Sequence, residues 1–163
     1  MVLWDKIFYE IAPQYADVTT EKMLVDAMTV RMVLHPSTLD TIVATNLHAD
    51  ILTDLAAALS GSIGIAPSSN LDPTRKNPSM FEPIHGSAPD IAGKGIANPV
   101  GAFWSAAEMV RWVGEEEAAE GLMRAVERVT ARGCKTRDLG GAEDTKGVTE
   151  AVCKELEGIV WEG

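Results

Sequence analysis

Apolar residues recur at helical spacing from the start of the chain: Trp4, Ile7, Phe8 and Ile11 form one stripe, and Pro13 closes the segment. The pattern next predicts a short strand over Met23–Val25. A helix over Asp26–Leu34 follows, stopped at His35-Pro36 because a residue before proline is pushed out of helical backbone. Leu39–Thr45 (LDTIVAT) is rich in β-branched residues and predicts a buried strand. Leu47–Leu59 predicts a helix with Ile51, Leu55 and Leu59 on its buried side. Alternating helix and strand over this first part argues for an α/β class.

From Gly61 to Pro99 the texture changes to glycine and proline punctuation, with Ile63, Ile65, Phe81, Ile84 and Ile91 interleaved. A stretch this long without regular periodicity is usually functional or disordered. The interleaved apolar residues favour an ordered binding loop. Three helices are predicted after it. Val100–Val113 is apolar on nearly every side (Phe103, Trp104, Met109, Val110) and is expected to be buried. Glu115–Arg132 carries acids in its first turn, Arg128 and Arg132 in its last, and Gly133 as a stop, an order that suits the helix dipole. Asp144–Val160 begins at an Asp-Thr cap and is expected to bury Val148, Val152, Leu156 and Ile159. The change near Gly61–Gly64 marks the expected domain crossover, between residues 1–64 and 65–163.

Composition narrows the partners. The 163 residues hold 14 Lys+Arg against 24 Asp+Glu, a formal charge of -10, which repels phosphate backbones and anionic lipid. Nucleic acid and membrane are therefore not expected partners, although a local anion site remains compatible with the charge. Cys134 and Cys153 form neither a disulfide framework nor a C-x-x-C pair. No apolar run approaches transmembrane length, and Asp5 and Glu10 interrupt the first segment, so a secretory signal is not expected. A reducing, cytoplasmic setting is the expectation.

Two constellations carry candidate chemistry. Asp50 and Asp54 sit one helical turn apart after the LDTIVAT segment, on one face and away from Ile51 and Leu55. Asp26, at the start of the earlier helix, is a third acid. Oxygen-only ligands suit Mg²⁺ or Mn²⁺, with water and substrate completing the octahedron. The plainer reading of such acids is dipole-stabilised, solvated side chains. His48 is more simply a polar neighbour than a zinc ligand, since nothing at zinc-like spacing accompanies it. The second constellation is His85-Gly86-Ser87-Ala88-Pro89-Asp90-Ile91, followed by Gly93-Lys94-Gly95 and Asn98-Pro99. Its small residues let backbone approach a ligand, and Asp90 can accept from a ribose hydroxyl while repelling a 2′-phosphate, which favours NAD over NADP. A connecting Gly/Pro turn cluster is the alternative. Neither G-x-G-x-x-G opening a helix nor a Walker loop is present, so a standard Rossmann or P-loop site is not supported.

In order along the chain, Tyr15-x-Asp17-Val18 with Val25-Asp26-Ala27-Met28, Asn46-Leu47-His48-Ala49-Asp50-Ile51-Leu52-Thr53-Asp54, Gly61-Ser62-Ile63-Gly64, Phe81-Glu82-Pro83-Ile84-His85-Gly86-Ser87-Ala88-Pro89-Asp90-Ile91 and Gly95-Ile96-Ala97-Asn98-Pro99 resemble the motifs of the β-decarboxylating dehydrogenases. That family includes the isopropylmalate, isocitrate and tartrate/D-malate enzymes. The Asn70-Leu71-Asp72-Pro73 segment and the Gly101–Ser105 stretch look most like its tartrate/D-malate branch.

The resemblance implies an isopropylmalate dehydrogenase-like α/β fold, not a Rossmann fold, present as a carboxy-terminal portion. It further implies metal ligands at Asp26, Asp50 and Asp54, with Asp26 acting across a homodimer interface. Asp26 and Glu82 become the catalytic candidates, with Glu82 near the nicotinamide. His85, Gly86, Ser87, Ala88, Asp90, Ile91 and Asn98 would line the NAD site. The implied activity is NAD- and Mg/Mn-dependent oxidative decarboxylation of a small 2-hydroxy acid. Two departures stand out. The family's Phe-Gly before the first helical metal aspartate is His48-Ala49 here. Its proton-transferring lysine and tyrosine and its substrate-clamping arginines are expected upstream of the position matched by Met1, which leaves this chain inactive alone. A non-catalytic subunit or assembly module that keeps the fold is the alternative reading, and a bare metal- or nucleotide-binding domain is a third.

Overall fold

The computed structural model describes residues 2–159. Among them lie α1 (Val2–Ile11), α2 (Val25–Leu34), α3 (Asn46–Leu59), β1 (Pro67–Asn70), β2 (Met80–Pro83), α4 (Val100–Trp112), α5 (Glu116–Ala131) and α6 (Thr145–Glu157), with short 3₁₀ turns at Ala12–Gln14, Pro36–Thr38, Ile63–Ile65 and Arg137–Leu139. The chain divides into two compact units, the first ending at His48 and the second starting at Ala49. No helix among the described residues is long and apolar enough to cross a membrane.

In the first unit, α1 ends where Pro13 enters its 3₁₀ turn, and α2 ends at Leu34 with the His35 backbone outside helical space (φ -139°, ψ 50°), ahead of Pro36. Polar ties hold the connections. Lys22 donates to Asp5 at 2.5 Å, Arg31 to Glu21 at 2.6 Å, and Arg31 Nε to Thr38 Oγ1 at 2.9 Å. Both predicted strands are absent. Val25 already belongs to α2, and the segments 21–24 and 39–45 have no regular secondary structure. Leu24 (φ -76°, ψ 149°) and Leu39 (φ -99°, ψ 133°) do have extended backbone. Extended backbone becomes a strand only when a neighbour accepts and donates its ladder of hydrogen bonds, and none is paired with these segments among the described residues. Val43, expected to be buried, is 72% exposed.

The second unit has a hydrophobic core. Val100, Ala125, Val126, Val129, Val148 and Val152 form it, from α4, α5 and α6, with Ile65, Phe103, Leu122 and Leu156 packed around. Helix α5 behaves as its pattern predicts. Helix α6 buries Val148 and Val152 as expected but ends at Glu157, short of the expected end, and Leu156 and Ile159 are half-buried and not buried. Glu116 and Glu117 occupy the first turn of α5, and Gly133 leaves it with φ +89°. Asp144 caps α6 by accepting from Gly147 N at 2.7 Å. Val160, the expected last residue of that helix, lies outside the described residues.

Three expectations are corrected here. The buried residues of α3 are Leu52 and Ala57, while Ile51 and Leu59 are exposed. Helix α4 is not buried all round. Its buried residues are Val100, Gly101, Ser105 and Ala107, and Met109 is exposed. The reason is close approach through small residues: a Cβ on Gly101 would stand 2.8 Å from the Gly64 carbonyl and 3.4 Å from Pro83. The stretch expected to be a long loop contains an antiparallel hairpin, with Pro67 opposite Pro83 and Asn70 opposite Met80. Ile84 N extends it by donating to Ala66 O at 3.0 Å. Two four-residue strands beginning or ending in proline carry too little periodicity to be seen in sequence.

Candidate functional site

The carboxylates come first. Asp26 lies in the first turn of α2, where its Oδ1 accepts from Ala27 N at 2.9 Å. It follows extended backbone, not the expected strand. Asp50 and Asp54 lie one turn apart on α3, both exposed, roughly opposite the buried Leu52. Among the described residues no three His, Cys, Asp or Glu side chains converge as a metal set. α3 therefore offers two carboxylates on an open face. One or two carboxylates with water and substrate oxygens is the donor set that Mg²⁺ accepts, so the residues fit a hard divalent cation.

The loop candidates follow β2. Glu82 is exposed on that strand, opposite Ser68. His85 is half-buried, and its Nδ1 lies 3.0 Å from Gly86 O. Gly86 and Ser87 are exposed, and a Cβ on Gly86 would meet nothing within 4 Å. Ala88 has φ +43°, a left-handed conformation rare for a residue with a Cβ. It turns the chain so that Ile91 N donates to Ala88 O at 3.0 Å, and Lys94 N to Ile91 O at 3.1 Å. Asp90 is exposed and Ile91 half-buried. Residues 86–91 thus form a tightly turned segment that opens with three small residues, with open space beside Gly86. That arrangement fits a ligand needing close backbone approach.

The far end of this segment is tied down. Thr145, the first residue of α6, donates its N–H to Gly95 O at 2.8 Å and its hydroxyl to Ala97 O at 2.5 Å. Asn98 is committed on both sides of its amide: Nδ2 donates to Asp138 Oδ2 at 2.8 Å, and Oδ1 accepts from Val100 N at 3.0 Å at the start of α4. Asp138 also accepts from Ser62 Oγ and from Thr136 Oγ1, each at 2.5 Å. Ser62 and Thr136 are buried. Partial burial alone would raise the Asp138 carboxyl, but the donors from Ser62, Thr136 and Asn98 outweigh it and hold the group below its ordinary range.

The sequence patterns single out neither Thr136 nor Asp138. The signal was a Thr-x-Asp triplet ahead of Gly140-Gly141, a turn composition whose buried partners lie far away in the chain. Ser62 is visible only as part of a Gly-Ser-Ile-Gly motif. The Cys134 thiol is pushed up by burial, with Glu143 adding to the shift, which makes it an inert core neighbour.

The backbone is similar to that of isocitrate dehydrogenase from Methylococcus capsulatus, with a TM-score of 0.89 and 39% identity over 94% of this chain and 45% of that one. It is also similar to a β-decarboxylating dehydrogenase from Thermococcus kodakarensis, with a TM-score of 0.79, 38% identity, and coverage of 96% and 45%. These likenesses define an isocitrate/isopropylmalate dehydrogenase-type fold. Residues 1–156 match the isocitrate/isopropylmalate dehydrogenase family, and the chain belongs to it. It is 65% identical over 158 residues to a probable tartrate dehydrogenase/decarboxylase of Agrobacterium vitis, covering 97% of this chain and 43% of that protein. It is 44% identical over 159 residues to the decarboxylating D-malate dehydrogenase of Escherichia coli, covering 94% and 44%. The chain thus spans less than half the length of the relatives it matches.

Proposed function

We propose that this chain carries the metal aspartates and the nicotinamide loop of an oxidative decarboxylase acting on a small 2-hydroxy acid of the tartrate, D-malate or isopropylmalate type. The observation that carries the reading is the pairing of two solvent-facing carboxylates on α3 with an open, small-residue loop anchored at both ends. Family membership over residues 1–156 and the names of the relatives support it. On this reading residues 1–64 belong to a smaller metal-binding and dimerisation domain and residues 65–163 to a larger NAD-binding domain, in a homodimer.

Asp50 and Asp54 would hold a divalent cation, with Asp26 contributing to the partner copy's site. Gly86, Ser87 and Ala88 would bring backbone against the dinucleotide. Asp90 would accept from a ribose hydroxyl and repel a 2′-phosphate. His85, Ile91 and Asn98 would line the adenosine end, and Glu82 would lie near the nicotinamide. When bound, the cation supplies Lewis-acid polarisation of the substrate's hydroxyl and carboxylate, and the nicotinamide supplies the hydride acceptor.

Electron paramagnetic resonance of free Mn²⁺ tests the metal half directly. The wild-type chain is expected to deplete the free signal, and Asp50→Asn/Asp54→Asn to restore it. Equal depletion by both proteins would overturn the assignment. The chain alone is expected to give no turnover with D-malate, tartrate or isopropylmalate plus NAD⁺ and Mn²⁺, because the proton-transferring lysine and tyrosine are expected elsewhere. Robust turnover lost in Asp50→Asn would show instead that the chain is catalytically sufficient.

A further inference from the structure

The loop expected to take the dinucleotide ends at Asn98, whose amide is hydrogen-bonded on both sides, to Asp138 and to Val100. We infer that Asp138 is a positioning residue for this loop: its carboxylate fixes the orientation of the Asn98 amide and so sets where residues 93–98 lie. The inference rests on the nucleotide reading given above.

The geometry leaves Asn98 a single orientation. Its Oδ1 must face Val100 N, 3.0 Å away, because an N–H at the start of a helix has no acceptor within the helix. The amide nitrogen then points the other way, at a donor's distance of 2.8 Å from Asp138 Oδ2. An ionised carboxylate only accepts, so it holds the nitrogen and rejects the flipped oxygen. The same Oδ2 accepts from Ser62, whose hydroxyl takes the Gly64 N–H at 3.0 Å, and Oδ1 accepts from the buried Thr136. One carboxylate therefore joins three separated stretches of chain: the turn at Ser62–Gly64, the loop end at Asn98 and the turn before α6. Crowding leaves little slack. A Cβ on Gly64 would come within 3.0 Å of Asn98 Cβ, 3.1 Å of Asp138 Oδ2 and 3.2 Å of Ser62 Oγ. Asp138 acts on the loop through its hydrogen bond to Asn98.

The acceptor role can be removed or kept at this position, which provides the test. In Asp138→Ala nothing accepts from Asn98 Nδ2 or from Ser62, and the Asn98 amide loses its reason to stay. In Asp138→Asn the amide oxygen can take the place of Oδ2, still accepting from Asn98 and Ser62, while its nitrogen donates to the Thr136 hydroxyl.

The experiment is calorimetric titration of the whole chain with NAD⁺, accompanied by amide exchange at Val100, whose N–H goes to Asn98, and at Thr145, whose N–H goes to Gly95 O. Asp138→Ala is expected to weaken NAD⁺ at least tenfold and to speed both exchanges at least tenfold. Asp138→Asn is expected to keep binding and exchange within about threefold of wild type. The inference is overturned if Asp138→Ala binds and exchanges like wild type. It is equally overturned if Asp138→Asn, melting like wild type, is as impaired as Asp138→Ala. Should the wild-type chain bind no NAD⁺, the nucleotide reading fails by itself. The exchange rates then decide the positioning role: acceleration in Asp138→Ala with wild-type rates in Asp138→Asn supports it, and unchanged rates in Asp138→Ala overturn it.

Discussion

The Asp72 carboxylate accepts from Thr74 N and Oγ1, Lys76 N, Asn77 N and Asn77 Nδ2, so one side chain organises the whole connection between β1 and β2. The Thr74 hydroxyl and the Asn77 and Thr74 backbone donors lower its carboxyl from the ordinary 3.8 to about 2. A carboxyl lowered on folding adds stability that is fully present above its unfolded value and is lost as pH falls through the folded one. The turn is therefore expected to stay ordered at pH 5 and to loosen between about 3.8 and about 2. Amide exchange at Thr74 and Asn77 across that range checks it. Loosening centred near 4, or the same profile in Asp72→Ala, would speak against the assignment. Two glycines give a sharper contrast. Gly101→Ala drives a Cβ to 2.8 Å from the Gly64 carbonyl, a backbone atom that cannot swing aside. Overpacking of this kind costs about 1–3 kcal/mol and is read as a lower melting temperature. Gly86→Ala meets nothing within 4 Å, so its melting temperature should match wild type while NAD⁺ binding weakens through lost backbone approach. If Gly86→Ala leaves NAD⁺ affinity unchanged, the close-approach role of that glycine is lost.

At the scale of elements, the helices were legible and the strands were not, for one physical reason. A helix satisfies its hydrogen bonds within its own segment, so α1, α2, α3, α5 and α6 begin and end close to where caps, prolines and glycines place them. A strand needs a partner, and the β-rich LDTIVAT segment has none among the described residues, whereas the pattern-poor Pro67–Asn70 and Met80–Pro83 find each other. Burial is less legible in the sequence than element boundaries. Spacing put Ile51 and Leu59 inside, yet Leu52 and Ala57 are the buried residues of α3, because the choice of face depends on what packs against the helix. The same holds for the site. The exposed face of Asp50 and Asp54 follows from spacing, but the Ser62–Asp138–Asn98 tie is set by tertiary approach alone and leaves no local pattern. Packing strength can be checked at Val152, fully buried in the α5–α6 core. Val152→Ala is expected to cost about 1.5–3 kcal/mol in chemical denaturation, with an unchanged denaturant slope. A cost below about 0.5 kcal/mol would mean that this part of the core is not closely packed.

At the scale of the whole chain the two units differ in what stabilises them. The second has a contiguous core, whereas Met32 is the buried hydrophobic residue of the first among the described residues. Leu3, Trp4, Tyr9, Leu24, Leu34 and Val43 of the first unit are all exposed. Its ties are surface contacts such as Lys22–Asp5 and Arg31–Glu21, and exposed ion pairs contribute only about 0–1 kcal/mol each. Apolar surface on this scale favours association in water. A net charge of -10 opposes it at long range, but the Debye length is about 8 Å at physiological ionic strength, so salt removes most of that opposition. The chain alone is therefore expected to self-associate at micromolar concentration, more strongly as salt rises. Sedimentation velocity at two ionic strengths checks both parts. A sharp monomer boundary at each would mean that the exposed residues of the first unit are not accessible in solution. Association that weakens with salt would place the contact on charged groups and not on this apolar surface.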